Sequence, residues 1–228
     1  DSAAVAPASI AGDDQLLAPV PLTVVELPSV MSERPEVIAE MRTHLLGFMS
    51  SGTVSLSSVK RNASKLAAHG QGGVGKTITA AMLVHDPMVR QAFDRIGWVS
   101  VGQTPNIMEM QRTLFEQLTG EPMPVKDGAT TQTQLADLKA ACKGKRFLVV
   151  LDDAWERVHE KQLNCIDPSS ESKVLVTTRI RGLLKGSNEL ALDLMTEQES
   201  SDLLLRSGGI DIETANESAR AAASQVAK

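Results

Sequence analysis

Aromatic residues are scarce in this chain of 228 residues. They make up 3% of it, with four Phe, two Trp and no Tyr, whereas hydrophobic residues as a whole make up 42%. A hydrophobic core must therefore consist mainly of Val, Leu, Ile, Ala and Met. The length suits one large α/β domain, or one domain with an appendage.

Cysteine, long apolar runs and excess positive charge are also lacking. The two cysteines, Cys142 and Cys165, have a spacing that suggests neither a metal site nor a disulfide framework, so we expect reduced thiols in a cytoplasmic protein. No apolar run reaches about 18 residues, so we expect no membrane span. The net charge of −5 argues against broad nucleic-acid binding, which requires a basic face.

The first residues lack an initiating Met and the basic-then-apolar pattern of a signal peptide. We therefore expect the chain to be a piece of a longer protein. The segment that opens it is rich in Ala, Pro and Ser, and we expect residues 1–27 to be a flexible lead-in.

Glycine, in contrast, is concentrated in the stretch GQGGVGKT, which fits the phosphate-binding pattern G-x-x-x-x-G-K-[ST]. Glycines let successive backbone N–H groups point inward at an anion, and a helix that starts near Lys76 would add its own N–H groups. Lys76 would reach the β- and γ-phosphates, and the Thr77 hydroxyl would bind Mg²⁺. The predicted nucleotide-binding residues are Gly70, Gln71, Gly72, Gly73, Val74, Gly75, Lys76, Thr77 and Ile78.

The surroundings of this stretch support the interpretation. Residues 64–69 form a short, mostly apolar segment that predicts a buried strand, and residues 78–85 favour a helix. A phosphate loop needs this strand–loop–helix context. The alternative is a Gly-rich surface turn that matches the pattern by chance.

Two acidic residues end a second apolar run. Residues 147–151 are all apolar, which is typical of a central strand in a parallel sheet, and Asp152 and Asp153 follow at the edge where such sheets bind ligands. This is the pattern of a Walker B strand. We expect Asp152 to hold Mg²⁺ and Asp153 to orient the attacking water. The alternative is an ordinary strand that runs into a turn.

A third apolar segment, residues 172–180, predicts another central strand, and it ends in Thr177, Thr178 and Arg179. Arg179 could reach a γ-phosphate through a bidentate contact. It could equally pair with Asp152 or Asp153, or face solvent.

The remaining segments complete an α/β pattern. We expect a helix capped by Ser32 with Pro35 in its first turn and Gly47 near its end. A strand is expected from Phe93, and a strand pattern recurs at Leu190, Leu192 and Leu194. Helices are expected at residues 106–120 and 132–144, after the capping box of Thr196 and Glu199, and in the Ala-rich tail.

Five blocks taken together resemble the NB-ARC domain, the nucleotide-binding switch of plant disease-resistance proteins and apoptosis activators within the STAND class of P-loop NTPases. They are HGQGGVGKT, FDRIGWVSV, KRFLVVLDDAW, SKVLVTTR and LDLMTEQESSDLLL, and the similarity runs over residues 28–208. The resemblance implies a three-layer α/β/α fold with five parallel strands, in which the sensor strand separates the Walker A and Walker B strands.

The resemblance also implies a role for individual residues. Thr77 and Asp152 would hold Mg²⁺, Lys76 would contact the phosphates, and Asp153 would be the second carboxylate. Arg179 would be the sensor that tells ATP from ADP. Residues 30–33 would lie by the adenine, although the Gly-Arg pair usual there is missing. Ile78 replaces a hydroxyl residue of the family, so one bond to the α-phosphate is lost and affinity falls several-fold.

At the level of the whole chain, the resemblance implies an ADP/ATP switch with slow Mg²⁺-dependent hydrolysis in defence or cell-death signalling. The Gly-Leu-Pro-Leu block and the His-Asp motif of the family are absent, so residues 209–228 would be a helix leading to a missing helical subdomain, with the winged-helix subdomain beyond it. Partners would be flanking effector and repeat domains, with self-association in the ATP-bound form. The alternatives are a degenerate module that only mediates protein contacts, or a P-loop kinase or ATPase of another class.

Overall fold

The computed structural model describes residues 17–47, 64–167 and 169–227. Within them the chain forms eight helices and five strands. The helices are α1 (Pro35–Leu46), α2 (Lys76–His85), α3 (Pro87–Ala92), α4 (Ile107–Thr119), α5 (Thr131–Cys142), α6 (Arg157–Leu163), α7 (Glu197–Ser207) and α8 (Glu217–Val226). The strands are β1 (Lys65–His69), β2 (Arg95–Gly102), β3 (Phe147–Ala154), β4 (Lys173–Thr178) and β5 (Asn188–Ala191).

The five strands form one parallel sheet in the order β2-β3-β4-β1-β5. Strand β4, which Arg179 directly follows, lies between β1 and β3, as the resemblance implied. Parallel strands point the same way, so the ends of β1, β3 and β4 meet at one edge of the sheet. The predicted sheet of five parallel strands is confirmed.

Helices cover both faces of the sheet because its central strands are apolar on both sides. Successive residues of β3 alternate between two hydrophobic clusters: Leu148 and Val150 pack on one side, and Val149 and Leu151 on the other. Helices α1, α2 and α3 contribute to the first cluster and α4, α5 and α6 to the second. The result is the expected three-layer α/β/α arrangement.

The start of α1 differs from the prediction. The residue before the first helical turn is Arg34, in a left-handed conformation with φ of 42°, and no side chain caps the helix. The prediction that Ser32 caps it was wrong, because Pro35 is the first helical residue and the cap position directly precedes it. Gly47, with φ of 65°, follows the last residue of α1.

Two short helices, α3 and α6, were not predicted, and one strand is shorter than its pattern. Asp86 caps α3 by accepting hydrogen bonds from the N–H groups of Met88 and Val89. Leu190 and Leu192 are buried, but β5 ends at Ala191 and Leu194 is exposed. The alternation of apolar residues in the sequence therefore continues past Ala191, where β5 ends.

The described part of the expected lead-in packs against the domain. The Ala18 N–H donates to the Arg90 carbonyl at 2.9 Å, the Arg90 Nε donates back to the Ala18 carbonyl at 2.8 Å, and Ala18 is buried. The Thr23 hydroxyl donates to the Trp98 carbonyl at 3.0 Å. The expectation of flexibility for residues 1–16 falls outside the described residues. No helix in the described ranges has the length and apolar character needed to cross a membrane.

Candidate functional site

The glycine-rich loop joins β1 to α2 at the carboxyl edge of the sheet. Gly73 and Gly75 have φ of 84° and 92°, a left-handed conformation that side chains with a Cβ rarely adopt. At Gly70 the constraint is spatial, because a Cβ there would lie 2.4 Å from the Leu192 carbonyl oxygen. The helix that follows begins at Lys76, as predicted, so its free N–H groups face the loop.

Lys76 folds back over this loop. Its Nζ donates to the carbonyls of Gly70 at 2.9 Å and Gln71 at 2.7 Å, and its side chain is buried. Burial lowers the pKa of Lys76, and the nearby Arg179 guanidinium lowers it further. An anion that entered the loop would compensate both effects, because it would bring negative charge next to two cations.

Asp152, near the end of β3, contacts Thr77, the residue that follows Lys76. Its Oδ1 accepts hydrogen bonds from the Thr77 hydroxyl at 2.9 Å and the Thr177 hydroxyl at 2.7 Å, and the residue is only 4% exposed. Burial raises the pKa of Asp152, and the two hydroxyl bonds oppose that effect. The two residues predicted to hold Mg²⁺ are therefore brought together. Their carboxylate and hydroxyl oxygens are the ligands that this cation prefers, so the site fits it.

Asp153 has an unusual backbone. Its φ is 53°, and the pairing of β3 with β4 shifts register between Leu151 and Ala154. A bulge of this kind redirects side chains at the end of a strand. The Asp153 N–H donates to the Thr177 hydroxyl at 2.8 Å, while its Oδ2 accepts from the Trp155 indole N–H at 3.1 Å.

Thr177 links the Asp152 carboxylate to the Asp153 backbone, and sequence reasoning had assigned it no role. Its hydroxyl donates to Asp152 and accepts from the Asp153 backbone N–H. The available signal was a polar residue in an apolar strand that ends at the ligand edge. Such a buried hydroxyl needs a partner, and the carboxyl group of the next strand supplies it.

Arg179 lies at the open side of the loop. Its Nε is 3.5 Å from Asp153 Oδ1, its Cζ lies 5.2 Å from the centroid of the Trp155 ring, and its side chain is 49% exposed. A Cβ placed on Gly72 would be 3.0 Å from Arg179 Nη1, so the guanidinium adjoins the loop. The pairing with Asp153 that we considered as an alternative is observed, and it places Arg179 next to the phosphate loop.

Arg34 is a further site residue that sequence reasoning missed. It donates through Nη1 to the Val74 carbonyl at 3.3 Å and through Nη2 to the Asp193 carbonyl at 2.9 Å, and its Nε lies 3.4 Å from Glu199 Oε1. The side chain is 8% exposed. Arg34 directly follows the segment expected near the adenine, which was the only sign of its position.

A separate cavity of about 760 Å³ lies at the opposite edge of the sheet, by the start of β1 and the ends of α5 and α6. Lys139 and Lys161 line it from the last turns of these helices, where positive charge balances the helix dipole. Its buried carboxylate, Glu160, is 2.7 Å from Lys65 Nζ. None of the residues predicted to bind nucleotide lines this cavity, and the loop edge remains the candidate site.

Comparison with known proteins agrees with this geometry. The family model described as the NB-ARC domain matches residues 54–210. The chain belongs to the NB-ARC family. This NB-ARC domain is 28% identical over 170 residues to disease resistance protein RPH8A of Arabidopsis thaliana, a match that covers 67% of this chain and 18% of that protein. It is 33% identical over 116 residues to disease resistance protein RGA2 of Solanum bulbocastanum, covering 49% of this chain and 12% of the relative.

Solved structures show the same fold. A STAND protein (Signal Transduction ATPase with Numerous Domains) with a tetratricopeptide repeat sensor from Pyrococcus horikoshii superposes with a TM-score of 0.54 at 16% identity, covering 92% of this chain and 29% of that one. The ORC2 protein of Aeropyrum pernix gives a TM-score of 0.55 at 18% identity, covering 84% and 56%. This NB-ARC domain thus has a P-loop NTPase fold, and it spans less than a fifth of the length of the two disease resistance proteins.

Proposed function

We propose that this NB-ARC domain is an ADP/ATP-binding switch module of a longer signalling protein. The observation that carries the proposal is the contact of Thr77 with Asp152, which joins the phosphate loop to the Walker B carboxylate at 2.9 Å. The relatives named as disease resistance proteins support a role in defence. The ORC2 structure of the same fold was solved in complexes with ADPNP and ADP, which supports adenine nucleotides as ligands.

Each loop residue has a defined task in this proposal. The backbone N–H groups of residues 70–78 bind the phosphates, and the Lys76 ammonium exchanges its two carbonyl partners for phosphate oxygens. Thr77 and Asp152 hold Mg²⁺, which neutralises phosphate charge when it is bound. Ile78 contributes its N–H group alone, which weakens binding several-fold compared with a hydroxyl residue at this position.

Arg179 would distinguish ATP from ADP. In the present structure its guanidinium pairs with Asp153. A γ-phosphate competes with Asp153 for this guanidinium, whereas ADP has no group that does so. Release of Asp153 from Arg179 leaves its carboxylate available to orient a water molecule. Slow hydrolysis then resets the switch.

The partners belong to the parts of the protein that flank this domain. Because the chain spans only a small part of its relatives, we propose effector and repeat domains on either side, and self-association in the ATP-bound form. We place the protein in the cytoplasm and expect no nucleic-acid partner, since the net charge is −5.

Titration calorimetry with ADP and with an ATP analogue, each in the presence of Mg²⁺, tests the proposal. We expect binding in a range on the order of micromolar for the parent chain, and its loss in Lys76→Ala, because the ammonium is the charge nearest the phosphates. Lys143→Ala is the matched control, since it removes an exposed ammonium at the opposite edge of the sheet.

Two results would contradict the switch. Absence of heat with either nucleotide, or unchanged binding by Lys76→Ala, would favour a degenerate module that only contacts proteins. A phosphate-release rate on the order of 1–100 s⁻¹ would instead favour a P-loop enzyme of another class, by comparison with kinases.

A further inference from the structure

Trp155 lies directly beside Arg179, and the strand register explains why. Ala154, the last residue of β3, pairs with Thr178, the last residue of β4. The next residue of each strand is therefore Trp155 and Arg179, and the two leave the sheet side by side. The Trp155 ring centroid is 5.2 Å from Arg179 Cζ, a distance typical of a cation–π contact.

Trp155 also holds the carboxylate of Asp153, which pairs with Arg179. Its indole N–H donates to Asp153 Oδ2 at 3.1 Å, and the other oxygen, Oδ1, is the one that lies 3.5 Å from Arg179 Nε. A tryptophan supplies both a ring face for the cation and an N–H group for the carboxylate.

We propose that Trp155 is a positioning residue that holds the Arg179 guanidinium against Gly72, where it distinguishes ATP from ADP. This role rests on the proposed function, in which Arg179 contacts the γ-phosphate. The geometry supports it because a Cβ on Gly72 would lie 3.0 Å from Arg179 Nη1. Trp155 belongs to neither hydrophobic core cluster and is only partly buried, so packing in the core does not account for its contacts.

The contact with Trp155 leaves the Arg179 N–H groups available for a phosphate. Arg179 Cζ lies over the Trp155 ring, which carries no oxygen that would compete with a phosphate for the guanidinium N–H groups. Trp155 therefore restricts the many rotamers of a half-exposed arginine without occupying the donors that the γ-phosphate requires. A pre-positioned side chain loses less conformational entropy when the ligand binds. ADP has no γ-phosphate and gains nothing from this arrangement.

The test compares ADP with a non-hydrolysable ATP analogue, both with Mg²⁺, in calorimetric titrations of the parent chain and of Trp155→Leu and Trp155→Phe. We expect Trp155→Leu to bind the ATP analogue about two- to fivefold more weakly than the parent, with ADP affinity unchanged. Trp155→Phe keeps a ring face and should lie closer to the parent. Val158→Ala, at a residue that is 45% exposed on α6, is the control and should match the parent.

A double-mutant cycle separates positioning from a general structural effect. In an Arg179→Ala background, Trp155→Leu should cause no further loss of affinity for the ATP analogue, because the side chain it positions is gone. Equal weakening of ADP and ATP analogue by Trp155→Leu, or an effect that persists without Arg179, would overturn the role of Trp155. A parent chain that binds neither nucleotide would contradict the proposed function itself, and the role of Trp155 with it.

Discussion

Asp152 is a carboxylate that the fold buries against hydroxyl groups. Its Oδ1 accepts two hydrogen bonds, from Thr77 and Thr177, and the residue is 4% exposed. Burial of an ionised carboxylate costs free energy unless a cation or several donors compensate it, and burial raises the pKa of Asp152 accordingly. A carboxylate in this state gains more from a nearby cation than a solvated one does.

The Thr177 hydroxyl supplies one of the two hydrogen bonds that compensate the burial of Asp152. In Thr177→Val, Asp152 loses a hydrogen-bond donor and the Asp153 N–H loses its acceptor, at 2.7 and 2.8 Å in the parent. We expect the free energy of unfolding in urea to fall by about 1–3 kcal/mol, the usual cost of leaving buried polar groups unpaired. Thr177→Ser keeps the hydroxyl and should stay near the parent. Equal stability of the Val and parent chains would show that these bonds contribute little.

At the scale of elements, α7 begins with the capping box that its sequence indicates. The capping box predicted from Thr196 and Glu199 is confirmed, with the Thr196 N–H donating to Glu199 Oε2 at 2.7 Å. This bond holds the pKa of Glu199 below its usual range, and Arg34 contributes in the same direction. The carboxylate form of Glu199 is therefore stabilised more in the folded than in the unfolded chain.

The sign of this pKa shift gives a pH prediction. Stabilisation by Glu199 should be fully present above the ordinary glutamate pKa, and it should be lost as the pH falls through the lowered pKa of the folded state. Urea unfolding of the parent and of Glu199→Gln at a series of acidic pH values measures it. The stability difference between the two proteins should shrink on acidification, and a difference independent of pH would refute this assignment.

Elements were predictable where the sequence carries a pattern of its own. Apolar runs marked β1, β3 and β4, and glycine marked the end of α4 at Gly120, whose φ is 83°. Helices α3 and α6 were missed because six or seven residues give too few turns for a periodic pattern. The cap of α1 was misplaced since Pro35 determines which residue precedes the helix.

The residues of the candidate site likewise fall into two groups, those that the sequence indicated and those that it did not. Lys76, Thr77 and Asp152 belong to contiguous motifs, so their types and spacing indicated their chemistry. Thr177, Trp155 and Arg34 act through contacts between distant segments. The register of β3 with β4 and the close approach of α1 to the loop set those contacts, and a single sequence does not specify either.

On the scale of the whole molecule, the sheet topology creates the site. Thr77 and Asp152 lie 75 residues apart in the chain, and they meet because β1, β3 and the intervening β4 all end at one edge of the sheet. Arg34 adds a connection from the start of α1 to Val74 in the loop, to Asp193 and to Glu199 of α7. The loop is thus held in contact with segments from both ends of the described chain.

The Mg²⁺ dependence of ATP-analogue binding, measured by calorimetry in the parent chain and in Asp152→Asn, tests the central claim most directly. Asn keeps an oxygen that accepts from both hydroxyls but removes the charge that a cation requires. We predict that Mg²⁺ strengthens binding several-fold in the parent, compared with EDTA, and has little effect in Asp152→Asn. Equal strengthening by Mg²⁺ in both proteins would contradict a nucleotide site shared by the loop and Asp152.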